Sequence, residues 1–401
     1  MSTNVFDEQR VKAPPVLFSY GFRPFFLLAG LSAAALVPLW VCVATGAFGL
    51  GGSIPPSGWH AHEMLYGFAV AAIAGFLLTA IPSWTGSVAV KGKPLMALVA
   101  LYLAGRVASL PALADSVPAA LIDLAFLPAL GSLVAAPLIK AGKARNTAFL
   151  ALLGLLTLAN ALFRLEWLGV TQATAQLGIA LAIGIVLQMV TVIAGRIVPS
   201  FTQNALRQKE PTLVITPLPH LERAVLVLTA LLIPADLLLP GSVATGALAL
   251  AAAVAHGVRV SRWKGLHTLS QPVLWILHVG YAWIPVALAL KGLEYAFGLP
   301  LGRAWLHALT AGAFTTMVLA VMSRAALGHT GRMIVVSRTT VAAYALVLLG
   351  ATARTLLPML PDGAWTPVLH SAGALWTLGF ALFLWVYVPV LTGPRADGRP
   401  G

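Results

Sequence analysis

From Phe22 onward the chain is a succession of long apolar runs separated by short polar connections. A run of roughly 20 apolar residues is what an α-helix needs to cross a bilayer. On that pattern twelve spans are expected, at about 22–47, 60–82, 94–114, 117–140, 146–168, 173–198, 220–240, 241–258, 269–291, 302–323, 338–358 and 365–391. Pro240-Gly241 is the only break between the seventh and eighth. The expectation is an all-α integral membrane protein, a single polytopic domain over 1–401. Loose tails are expected at 1–20 and 394–401. The longest connection, 199–219, is too short to bury a core of its own.

Charge tests the count. Twelve spans put twenty of the 25 Lys and Arg residues on one side and four on the other, with Arg106 inside the third span. Basic residues concentrate in cytoplasmic loops, so both termini are expected in the cytoplasm. The residues are 59% hydrophobic and 9% charged, where a soluble domain carries about 25% charged residues; a soluble protein is excluded. The net charge of +13 is no nucleic-acid footprint, because the basic residues sit in short loops. A single cysteine, Cys42, excludes an intramolecular disulfide and any multi-cysteine metal site. The first twenty residues are mixed and polar, and no cleavable signal peptide is expected.

The exit of the second span, "AIPSWTG" (Ala80–Gly86), is echoed by "IVPSFTQ" (Ile197–Gln203) at the exit of the sixth. The tenth ends "VMSRAALGHTG" without the proline. Three four-helix units are one reading; coincidence among apolar segments is the other.

Of nine histidines, His220, His256, His267 and His329 fall at the cytoplasmic edge, where solvation explains them. The other five do not. His60 and His62 open the second span from outside, His307 the tenth and His370 the twelfth, and His278 lies near the midplane of the ninth. Ionisable groups inside a span are costly and mark function. His62 and His307 fall within about one turn of each other in depth, so the pair could clamp one metal centre. His60 and His62 are about 200° apart on a helix and face different ways unless the segment before His62 is not helical. Neutral imidazole is the common ligand of haem iron and of copper. Arg303 and Arg354, on the outer face, are candidates to hold haem propionates; snorkelling to the interface is the competing reading. Gln271, Trp275 and His278 share a helix face and either order a second metal site or glue two helices. Met64, Met189, Met317 and Met322 read as core filler. Glu63 either orients an imidazole or is favoured by a helix N-terminus. No phosphate loop, HExxH, GxSxG or CxxC is present.

Four segments carry a family resemblance: "GFRPFFLLAG" (Gly21–Gly30), "WHAHEMLYGFAVAAIAGFLLTAIPSWTG" (Trp59–Gly86), "GRIVPSFTQN" (Gly195–Asn204) and "HALTAGAFTTMVLAVMSRAALGHTGR" (His307–Arg332). Together they resemble the NnrS family. The resemblance implies a twelve-helix bacterial inner-membrane protein containing haem and copper. It also implies a role in the nitric oxide response during denitrification or nitrosative stress. A weaker analogy is with the catalytic subunit of haem–copper oxidases, built of three four-helix arcs with haem-binding histidines on helices 2 and 10. Here helix 6 has no histidine, which speaks against an oxidase-type binuclear centre.

The expected function is a haem- and copper-binding membrane protein that handles nitric oxide or its metal-nitrosyl products. Whether it is an enzyme, a redox protein fed by an electron donor, is left open. His62 and His307 are the expected iron ligands, with His60, His278 and His370 the pool for copper or a second haem. The alternative is a twelve-helix secondary transporter without a metal cofactor.

Overall fold

The computed structural model describes residues 14–52, 54–207 and 210–399. They form twelve helical rods: α1 Phe22–Ala44, α2 Pro56–Thr85, α3 Lys93–Ala108, α4 Val117–Lys140, α5 Ala144–Trp167, α6 Thr174–Leu206, α7 Pro219–Leu238, α8 Val243–Ser261, α9 Pro272–Phe297, α10 Ala304–His329, α11 Arg338–Leu356 and α12 Trp365–Thr392. Helices are the outcome this sequence demands, because a chain in hydrocarbon must satisfy its own backbone groups. Their ends carry ordinary signals. Ser242 and Ser337 cap α8 and α11, their hydroxyls accepting from the Thr245 and Thr340 amides at 3.2 and 3.1 Å. The Pro240-Gly241 break is a turn, with Gly241 at φ 72°, a left-handed value that favours glycine.

Ten rods are long and apolar enough to cross a membrane. The two that fall short are α3, at 16 residues, and α7, which carries Glu222, Arg223 and Asp236. Several expected boundaries move, among them the ends of α3, α6, α9 and α10. Pro199 does not end α6, which continues to Leu206, since one proline removes a single main-chain bond. α9 runs six residues past the expected 291, to Phe297.

Consecutive rods pack on one another except α2 and α3, since α2 lies against α1 and α4, and α12 returns to pack on α1, closing the set. α2 and α10 are innermost: 83% and 72% of their apolar windows are buried, against 28% for α1. α6 touches both. The two innermost helices share a local irregularity. A seven-residue π-helical segment, Glu63–Ala69, interrupts α2 directly after His62, and another, Ala308–Phe314, interrupts α10 directly after His307. Such segments are rare and gather at functional sites. Neighbouring side chains bond carbonyls within them: Tyr102 Oη donates to Gly67 O at 2.7 Å, and Thr315 Oγ1 to Thr310 O at 3.0 Å.

The end segments are not loose over their described parts. The Gly92 amide donates to Phe18 O at 2.8 Å, and the Ala396 amide to Thr330 O at 2.9 Å. Residues 1–13, most of the expected N-terminal tail, lie outside the described residues.

Candidate cofactor site

Between α2 and α10, toward the ends where both helices begin, lies a cavity of about 1010 Å³, part of it open to the exterior. α1, α6, α11 and α12 complete its walls, which are apolar: Val37, Met64, Phe68, Ile183, Phe314 and Trp376 among them. Besides Thr310, whose hydroxyl donates to Leu306 O at 2.8 Å, three groups break this lining, namely His60, His307 and Arg354. His60 is the fifth residue of α2 and His307 the fourth of α10, about 6 and 4.5 Å along their rods. His62 also lies within a turn of His307 in depth, but it is His60 that shares the cavity with His307.

The Nδ1 atoms of His60 and His307 are buried with no hydrogen-bond partner among the described residues. A buried unsatisfied nitrogen requires an explanation, and a bound group is one. No described carboxylate pairs with Arg354. An apolar slot with two unpartnered imidazoles and one unpaired cation fits haem, whose propionates bring the missing negative charge. Arg303, the other expected propionate partner, is exposed outside the cavity, its amide donating to Glu294 Oε2 at 3.1 Å.

His62 points the other way, into a buried polar cluster. Its Nδ1 lies 3.0 Å from Glu63 Oε1, and its Nε2 lies 2.9 Å from Asn160 Oδ1 and 3.3 Å from Asp123 Oδ2. Every one of these is an acceptor, so neither ring nitrogen is left for a metal. Arg106 on α3 donates to Glu63 Oε1 at 2.6 Å and also pairs with Asp123. Arg164 on α5 donates from Nε to Asp123 Oδ2 at 3.1 Å, and Asn160 Nδ2 donates to the same oxygen at 2.7 Å. The cluster joins α2, α3, α4 and α5, with two guanidinium groups and an imidazole facing two carboxylates. This is the condition under which charges are tolerated at such depth. The expected pairing of His62 with His307 is not what the fold brings together.

The remaining candidates stand apart. His278 Nε2 lies 2.8 Å from Thr202 Oγ1 on α6, while Trp275 packs edge-on against Tyr344 of α11, so their shared face serves two neighbours. His370 is exposed, its Nδ1 donating to Thr366 O at 2.8 Å. His256, expected at a wetted edge, is fully buried, with Tyr281 Oη 2.7 Å from Nδ1 and Thr229 Oγ1 3.0 Å from Nε2. Met189, Met317 and Met322 are buried in the core, whereas Met64 lines the cavity. Among the described residues no group of three or more His, Cys, Asp or Glu side chains could hold a metal ion.

Sequence reasoning passed over Asp123 and Asn160. Both are polar residues in the interior of long apolar runs, which is the signal that marks them. The π segments also left a trace: glycine follows histidine by five residues in both helices, His62–Gly67 and His307–Gly312.

A multi-pass α-helical membrane protein with an imidazole-bearing cavity between its two innermost helices is the class these features define. Residues 16–395 match the family described as NnrS protein, and the chain belongs to the NnrS family. That family is one of membrane proteins of the nitric oxide response, generally associated with haem and copper. No curated protein matches the chain.

Proposed function

We propose that this is a twelve-span, haem-binding inner-membrane protein that acts on or responds to nitric oxide, with both termini in the cytoplasm. The observation that carries the reading is the cavity that joins two unpartnered imidazoles to an unpaired guanidinium. Haem, when bound, supplies a redox-active iron with affinity for nitric oxide. His60 and His307 would hold it, and Arg354 would take a propionate. The apolar walls exclude water and admit an apolar gas that partitions into the bilayer. Glu63, Arg106, Asp123 and Arg164 fix the rotation of α2 through His62, which directs His60 to the cavity.

The orientation follows from the basic loops, and the twelve-span count from the same charge alternation. The three-unit plan is supported by α2, α6 and α10, four helices apart and in contact in series. Against the transporter alternative stands the lining of the cavity, which carries its imidazoles and guanidinium at the outer ends of α2, α10 and α11 and is apolar toward the midplane, where transporters bind substrate.

The visible spectrum of protein purified in detergent tests the reading. A Soret band is expected, and its absence after expression with ample haem supply refutes the proposal. Arg354→Gln should weaken haem retention by about 10–100-fold, the range for partners that support a metal site from outside the ligands. Arg303→Gln should leave retention unchanged. Equal behaviour of the two variants in a haem-transfer assay would remove Arg354 from the site.

A further inference from the structure

A metal-bound histidine ordinarily donates its second ring N–H to a carbonyl or carboxylate, which fixes the plane of the ring. His60 has no such bond, since its Nδ1 is buried without a partner among the described residues. What lies against the ring is an indole. Trp40 of α1 stacks on His60 with ring centroids 4.4 Å apart and planes within 12°. Both rings line the cavity.

The wall that carries Trp40 is itself held. Trp376 Nε1 on α12 donates to Ala33 O at 3.0 Å. A Cβ on Gly373 would lie 2.6 Å from Val41 Cγ2, so α12 approaches α1 beside Trp40 with no room to spare. Pro38, two residues before Trp40, fixes its own φ and removes one main-chain bond from α1. The indole thus sits on backbone that its neighbours hold in place.

We propose that Trp40 is the positioning residue for His60, setting the plane of the imidazole by π-stacking where a hydrogen bond would otherwise set it. The inference rests on the haem reading above. It predicts an effect on ligand geometry, not only on folding.

The test uses the full-length protein purified with its haem, together with Trp40→Leu and Trp40→Phe. Two properties are measured: the rate of haem loss to an excess of a soluble haem-scavenging apoprotein, and the ferric electron paramagnetic resonance spectrum. W40L should lose haem about 10–100-fold faster than wild type, with a broadened ferric signal. W40F, which keeps a smaller stacking face, should change haem loss by only a few-fold. A W40L protein with the wild-type rate and signal overturns the proposal. If W40L does not fold, W40F carries the test, and a rate and signal equal to wild type overturn it. A wild-type protein without a Soret band overturns the haem reading and this inference with it, and is recognised before any variant is compared.

Discussion

Replacing His60 or His307 by glycine should remove the Soret band of the purified protein, and imidazole added to the buffer should restore it. Each substitution deletes one ring from an apolar cavity and leaves a space that free imidazole fits. The fall in haem affinity should exceed the roughly 10–100-fold typical of residues that only support a ligand. His62→Gly should behave differently. It strips Glu63, Asn160 and Asp123 of a donor inside the α2–α5 cluster, so the damage falls on stability, and imidazole in the buffer does not repair it. Spectra of the three variants, each with and without imidazole, separate a ligand from a structural histidine. An unchanged band in both H60G and H307G would refute the assignment of the site.

The second large effect is expected at Asp123. Its carboxylate is 2% exposed and meets Arg106, Arg164, Asn160 and His62. Asp123→Ala leaves one buried guanidinium, Arg164, and one partly buried, Arg106, without a counter-charge at that position. Breaking a buried ion pair from one side costs about 3–5 kcal/mol. The unfolding midpoint in mixed detergent micelles should drop accordingly. Asp397→Ala is the control, since its carboxylate pairs with Arg395 at the exposed C-terminal segment and should leave the midpoint unchanged. Equal midpoints for D123A and wild type would show that the cluster does not hold the bundle together.

The helices were legible in the sequence because hydrocarbon leaves so few alternatives: uninterrupted apolar runs, basic loops and one Pro-Gly turn placed nearly every element. The angular separation of His60 and His62 was legible too, since helical geometry alone keeps them from facing one partner. Which of the two faces the cavity was not. That depends on the rotation of α2, which is set by residues on α3, α4 and α5 that are 43 to 98 positions distant in sequence. Arg106 and Arg164 carry no local sign of what they bond, and Asp123 becomes informative only once its partners are known. His278 and His370 had the right chemistry and a suitable depth. Their helices turn them toward Thr202 and toward the Thr366 carbonyl, and one-dimensional spacing does not encode that rotation between neighbouring rods.

Because Leu369, Ala372, Gly373 and Trp376 of α12 complete the same cavity that α1 and α2 begin, the chamber has no far wall while the polypeptide is still being inserted. If the cavity holds haem as proposed, biogenesis has an order. The translocon must release the twelfth rod, and that rod must dock on the first, before a prosthetic group can be retained. A chain truncated after α11 would carry every imidazole of the site and still be unable to keep its cargo.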